Sequence, residues 1–410
     1  MRRVVAAALA AGVLGGAASH PAPPAYRTAP DARPVRTGAV LPGPGTYTDG
    51  IERGETHSYR LRLDGTSNVF LSAVLAPEPG SAVDVVDGLS LSLRTAAGAP
   101  CGPPQDIRFY GDTARPVADY VSRRVEPGRP CQEPGEYALV VEGVGRSLSP
   151  VRRRTVEIGY AVEAAARDGA APAPTGWSTE PPAALDDGPP DGTARGGTGF
   201  NDATPVGDGT WRDELRPGES RFYRVPVAWG QQLFVQARFA EGTPPPGRSA
   251  LPDGLRLALY NPARGAVDER KALYTGAPAA LLLATAPAAY ANRDEGATEA
   301  VRAMRFEGAY YVQLTLDRDA PAPVALALDL ARTPSAEDEE PDPALRAVGI
   351  AGITTGTVLV AGLGAWPVVT GRRRRRRGRH AAAPRAPRVP AAPPEPSPSS
   401  GPGGRTPHVP

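Results

Sequence analysis

Histidine and cysteine are scarce in this sequence, and the positions of the histidines narrow the chemistry open to it. Of 4 histidines, His20 sits near the amino terminus and His380 and His408 near the other end, leaving His57 as the one imidazole within a region patterned to fold. Hydrolysis on an imidazole needs a nucleophile beside it, or a metal with further ligands. Neither HExxH nor GxSxG occurs, and His57 is expected on the outward side of the turn that leads into Tyr59, so the sequence predicts no enzyme. The carboxylates Asp202, Asp208 and Asp213 crowd into one Gly-rich stretch. Oxygen ligands from such loops hold calcium, but the same residues cap turns by bonding their own backbone, and no EF-hand spacing is present. The expectation is therefore no cofactor, with those three aspartates as the calcium candidates. Asp49, their nearest counterpart upstream, lacks the neighbours. Trp177, Trp211 and Trp229 offer rings for stacking on sugars, against the alternative of ordinary packing.

The elements that must carry these groups are strands. In SYRLRL, Tyr59, Leu61 and Leu63 alternate with Ser58, Arg60 and Arg62, the period of a strand with one buried face. The passage is then restated: GTYTDGIERGETHSYRLRL from Gly45 is answered by GTWRDELRPGESRFYRVPV from Gly209, with Tyr223, Val225 and Val227 alternating in the same way. Val69, Leu71 and Ala73 match Leu233, Val235 and Ala237, DGLSLSL matches DGLRLAL, and GEYALVVEG matches GAYYVQLTL. Short alternating strands between Gly, Pro and Asp turns predict a mostly β protein. The prediction is two tandem antiparallel β-sandwiches of jelly-roll-like form, at 41–165 and 199–332, plus one C-terminal transmembrane helix. Gly54 and Gly218 mark a turn that a side chain would strain.

The flanks assign a compartment. Residues 1–19 pair Arg2 and Arg3 with a short apolar run and then small residues, the pattern of a cleaved secretory signal, followed by a Pro-rich lead at 20–40. An exposed linker covers 166–198 and an acidic stalk 333–346. Residues 347–370 carry no charge and are long enough to cross a bilayer, making a single-pass span anchored in the cell membrane. Arg372, Arg373, Arg374, Arg375, Arg376, Arg377 and Arg379 follow at once and place the Pro-rich disordered tail, 371–410, in the cytoplasm with the sandwiches outside. Beside a span these charges are orientation signals rather than a nucleic-acid patch, so no nucleic acid is expected as a partner. Cys101 and Cys131 both fall in the exported first sandwich with no competing cysteine, which predicts a disulfide. Abundant Ala, Gly and Pro with Arg in place of almost all Lys fit a GC-rich genome such as an actinobacterium's.

The second repeat resembles the bacterial pre-peptidase C-terminal module in Asn201 and Asp202, Gly209 and Asp213, Tyr223, Arg224 and Val225, and Gly230 and Gln231. The first repeat keeps Gly45, Asp49, Tyr59 and Arg60 but lacks the Asn-Asp start and the Gly-Gln step. CGPP, CQEPGEY, GGTGFND and LYNPARG are similar to tracts that accompany von Willebrand A domains in actinobacterial surface proteins. The A domain's own Asp-x-Ser-x-Ser is absent, Asp87-Gly88-Leu89-Ser90 having the wrong spacing, so metal-dependent adhesion is not implied. The resemblance and the flanks together predict a membrane-anchored cell-surface binding or accessory protein, presenting its sandwiches to an envelope protein or polysaccharide. The alternative is a signalling protein that relays an outside binding event to a partner on its tail.

Overall fold

A computed structural model describes residues 23–78, 81, 83–146, 152–163, 174–182, 185, 190–293 and 297–333. The signal, the span at 347–370, Arg372 to Arg377, Arg379 and the tail lie outside the described residues. Among those described, no helix is long and apolar enough to cross a membrane.

The first ten strands are β1 (Arg33–Pro34), β2 (Val40–Leu41), β3 (Gly45–Ile51), β4 (Thr56–Leu63), β5 (Asn68–Ala76), β6 (Gly88–Thr95), β7 (Gln105–Arg108), β8 (Val117–Arg123), β9 (Gly135–Val144) and β10 (Arg154–Glu163). They form two sheets of order β1-β3-β10-β5-β8 and β2-β4-β9-β6-β7. The next ten are β11 (Gly192–Thr193), β12 (Thr204–Pro205), β13 (Gly209–Leu215), β14 (Ser220–Val227), β15 (Gln232–Phe239), β16 (Leu251–Tyr260), β17 (Ala266–Tyr274), β18 (Ala279–Ala284), β19 (Gly308–Leu316) and β20 (Val324–Thr333). Their sheets run β11-β13-β20-β15-β18 and β12-β14-β19-β16-β17, the same order with every strand advanced by ten places. The repeat seen in the sequence is therefore a repeat of topology.

Each sandwich closes over its own core. Leu61, Leu91, Leu139, Leu71 and Ile158 meet in the first, and Val225, Leu257, Val312, Val235 and Leu328 in the second. Tyr59 and Tyr223 are 1% and 0% exposed, at matching places in β4 and β14. The turns before them match in detail. Gly54 and Gly218 take φ of 85° and 72°, a left-handed conformation that favours glycine. Glu55 and Glu219 accept from the main-chain N–H of Glu52 and Arg216 at 2.8 and 3.0 Å. Cys101 and Cys131 are joined as a disulfide with Cα atoms 5.4 Å apart.

Two expectations need correction. The pairing is not antiparallel throughout, because β1 runs parallel to β3, β2 to β4, β11 to β13 and β12 to β14. Of these, β1 lies in the stretch read as Pro-rich lead and β11 in the stretch read as exposed linker, so strand pairing begins at Arg33 and Gly192, upstream of 41 and 199. A two-residue strand carries no period that a sequence could display.

The two sandwiches belong to one compact unit and share a buried seam. Val74 and Ala118 from the β5 and β8 side pack with Phe200, Ala203, Phe222, Ala258 and Tyr260. Both faces of β5 are therefore covered, and almost all of Asn68–Ala76 is buried instead of alternating. At the centre Glu157 is 0% exposed. Its carboxylate pairs with Arg264 and accepts from Asn201 Nδ2 at 2.9 and 3.0 Å, Ala29 N at 2.9 Å and Tyr26 Oη at 3.1 Å. Arg264 and Asn201 come from the second sandwich, Tyr26 and Ala29 from the chain before the first. Removing one partner from such a node leaves a buried charge uncompensated.

Candidate binding pocket

The matching turns lead to one polar floor built twice. In the first sandwich Asp49 of β3 receives Tyr59 Oη at 2.8 Å, and His57 Nδ1 lies 2.9 Å from the same oxygen. In the second, Asp213 of β13 receives Tyr223 Oη at 2.7 Å. Burial, and then the aspartate beside it, pushes each phenol well above the usual tyrosine range. Each aspartate also accepts from the next main-chain N–H, at 2.7 Å from Gly50 and 2.8 Å from Glu214.

The floors differ in what covers them. In the second sandwich Arg221 takes the place of His57 and fills the space, its guanidinium 2.8 Å from Glu219 and bonded to Gly196 O at 3.2 Å. The chain between β11 and β12 lies directly on top, with Gly196 N donating to Asp213 at 2.9 Å. A Cβ at Gly196 would stand 2.8 Å from Arg221 and 2.9 Å from Tyr223, so only glycine permits that approach. In the first sandwich the equivalent arch carries Thr37, whose hydroxyl accepts from Ser58 N at 3.0 Å. Beneath it an open pocket of about 510 Å³ remains, walled by Val35 to Thr37 and by Thr48 to Gly50, with His57 at the floor. Arg36 and Arg153 also line it. Arg153 reaches Asp49 at 3.4 Å and Glu55 at 3.6 Å while staying half exposed.

His57 is thus inward, against the outward placement expected from the turn. It shares the buried face of β4 with Tyr59, Leu61 and Leu63, since residues two apart point the same way. With Asp49 accepting, Nδ1 donates, and Nε2 faces Glu55 at 3.4 Å. Among the described residues no serine, threonine or cysteine is hydrogen-bonded to Nε2. The arrangement orders a floor with Arg36 and Arg153 along it, the second shared with Asp49 and Glu55, and a guanidinium so placed suits holding an acidic group.

The calcium candidates are not brought together. Asp202 accepts from Thr198 N, Gly199 N and Thr198 Oγ1 at 2.8 to 3.0 Å, capping its own turn. Asp208 pairs with Arg332 at 2.8 Å, and Asp213 sits in the floor. Among the described residues no group of three or more His, Cys, Asp or Glu is placed to hold a metal ion. Trp211 is half-buried and donates from Nε1 to Gly207 O at 3.0 Å, whereas Trp177 and Trp229 are exposed.

No family model matches the chain, and a search of curated proteins finds no match. Among solved structures it is similar to the Aeromonas hydrophila PliG, a periplasmic inhibitor of g-type lysozyme, at 14% identity over 31% of this chain and 96% of that one, with a TM-score of 0.18. The CUB1-EGF-CUB2 domains of human MASP-1/3 match at 7% identity over 69% of this chain and 99% of that one, TM-score 0.17. The CBM22 tandem of Paenibacillus barcinonensis Xyn10C matches at 11% over 72% and 94%, TM-score 0.19. Scores this low define no shared fold.

Proposed function

We propose that the chain is a membrane-anchored cell-surface protein whose paired sandwiches bind an envelope protein or polymer through the pocket of the first sandwich, without turning it over. The observation that carries this reading is the contrast between the two floors: one is plugged by Arg221 and Gly196, the other is left open with Arg36 and Arg153 along it. Guanidiniums in that position select a carboxylate or phosphate on the ligand. The disulfide supports an oxidising compartment, in line with the predicted signal and span. The resemblance to pre-peptidase C-terminal modules supports an accessory role, and the reading needs no cofactor.

The test is cosedimentation of the full chain with isolated envelopes of the producing cell, followed by crosslinking to name the partner. Arg36→Ala with Arg153→Ala is expected to weaken binding about tenfold or more, the scale of losing charged hydrogen bonds. Unchanged binding would remove the pocket from the account. Hydrolysis of an envelope substrate, lost on one substitution, would replace binding by catalysis. A response that depends on residues after 370, with no partner recovered, would favour the relay.

A further inference from the structure

We propose that the end of the second sandwich bearing Trp229, Trp177 and Tyr290 rests on the membrane surface, an aromatic contact with lipid headgroups that orients the paired sandwiches above the bilayer. The proposal depends on residues 347–370 being a transmembrane helix. Trp229 stands in the turn between β14 and β15 and is 42% exposed, while Trp177 is 37% exposed. Tyr290 lies edge-on to Trp229 with centroids 6.5 Å apart. Gln232, three residues beyond Trp229, donates to the main-chain oxygen of Ser178, which brings Trp177 to the same end.

The exit of the chain identifies the occupant. Thr333, the last described residue, is paired in register with Gln232, so the chain leaves the sandwich beside these rings. Residues 334–346 then separate it from the span, a reach of at most roughly 45 Å when fully extended. A tether this short holds the aromatic end at high effective concentration over the bilayer. Rings with an apolar body and a polar N–H or hydroxyl settle at that boundary. Basic groups nearby are already paired, Arg293 with Glu163 at 3.1 Å and Arg332 with Asp208 at 2.8 Å. The contact is therefore aromatic in origin and should survive added salt.

The full chain is reconstituted into phosphatidylcholine and phosphatidylglycerol vesicles carrying a headgroup spin label, with one tryptophan kept and the others changed to Phe. The variant keeping Trp229 is expected to lose about half its emission or more, as an interfacial ring should. The variant keeping Trp211, bonded to Gly207 and half-buried, should lose little. Flotation scores the anchor separately. A chain that does not float with the vesicles overturns the span and this contact together. A chain that floats with Trp229 unquenched, or quenched no more than Trp211, overturns the contact alone and leaves the aromatic end to a protein partner.

Discussion

The two sandwiches share topology, turn geometry and an Asp–Tyr floor, yet two residues give the floors opposite properties. At the position of His57 the second sandwich has Arg221, long enough to join Asp213, Glu219 and Gly196 O. At the position of Thr37 it has Gly196, which lets the arch lie on the floor. The second sandwich differs again just after that arch. Between the arch and β13 the chain is five residues longer than between the first arch and β3, and in it residues 198–202 turn back under Asp202 and send Phe200 and Asn201 into the seam. One copy thus presents a docking face to its neighbour, and the other leaves an open pocket over the same floor. The scaffold is common to both copies, and a few side chains make the difference.

The largest expected difference between the copies comes from the disulfide, which only the first possesses. Cys101→Ser with Cys131→Ser opens a loop of sequence separation 30 and should cost about 3–4 kcal/mol in the chain-entropy view. Hydrogen exchange should then accelerate in β6 to β9 before it does in β16 to β19; equal acceleration would mean that the seam makes the two sandwiches a single cooperative unit. Next come the phenols. Tyr59→Phe and Tyr223→Phe each strip a buried aspartate of one hydrogen bond, at about 1.5–3 kcal/mol. Denaturant midpoints should show the two costs to be alike, because the pairs are alike at 2.8 and 2.7 Å. A several-fold disparity would break the equivalence of the floors.

A pH dependence also sets the covered sheet of the first sandwich apart. Burial, the main cause, with Glu299 adding to it, pushes the Asp119 carboxyl up from 3.8 to about 7, against hydrogen bonds from Tyr120 N and Gln105 that act the other way. The folded chain keeps this proton where the unfolded chain has lost it, so the folded state binds more protons between those values. Stability contributed here falls as pH climbs from about 4 to 7. Thermal melts across that window should show the slope, and Asp119→Asn should flatten it. A slope that persists in the variant would assign the titration to another group.

Much of the fold was legible because burial on one face writes a period of two. β4 and β14 show it, as do the matching glycines of their turns, and the two cysteines had only each other. The seam was less visible for the same reason, since a strand covered on both faces loses its alternation. Its trace was there in β5, where Phe70, Ser72 and Val74 stand at the positions that hold Arg60 and Arg62 in β4. His57 was also readable, two residues before Tyr59 on the same face, but its place beside a turn suggested the outside. The pocket itself was not readable. It depends on the arch between β1 and β2, strands too short to leave a pattern, and on the size of one residue in each copy.

The direct test of the account is to rebuild the second floor in the first sandwich. His57→Arg with Thr37→Gly should let the arch settle and the new guanidinium bridge Glu55 and Asp49, with stability held within about 1 kcal/mol because the replaced contacts have counterparts. Envelope binding by the full chain should then fall about tenfold or more, the scale expected when a charged contact is lost. Undiminished binding by a folded double variant would contradict the claim that the open floor is where this protein meets its partner.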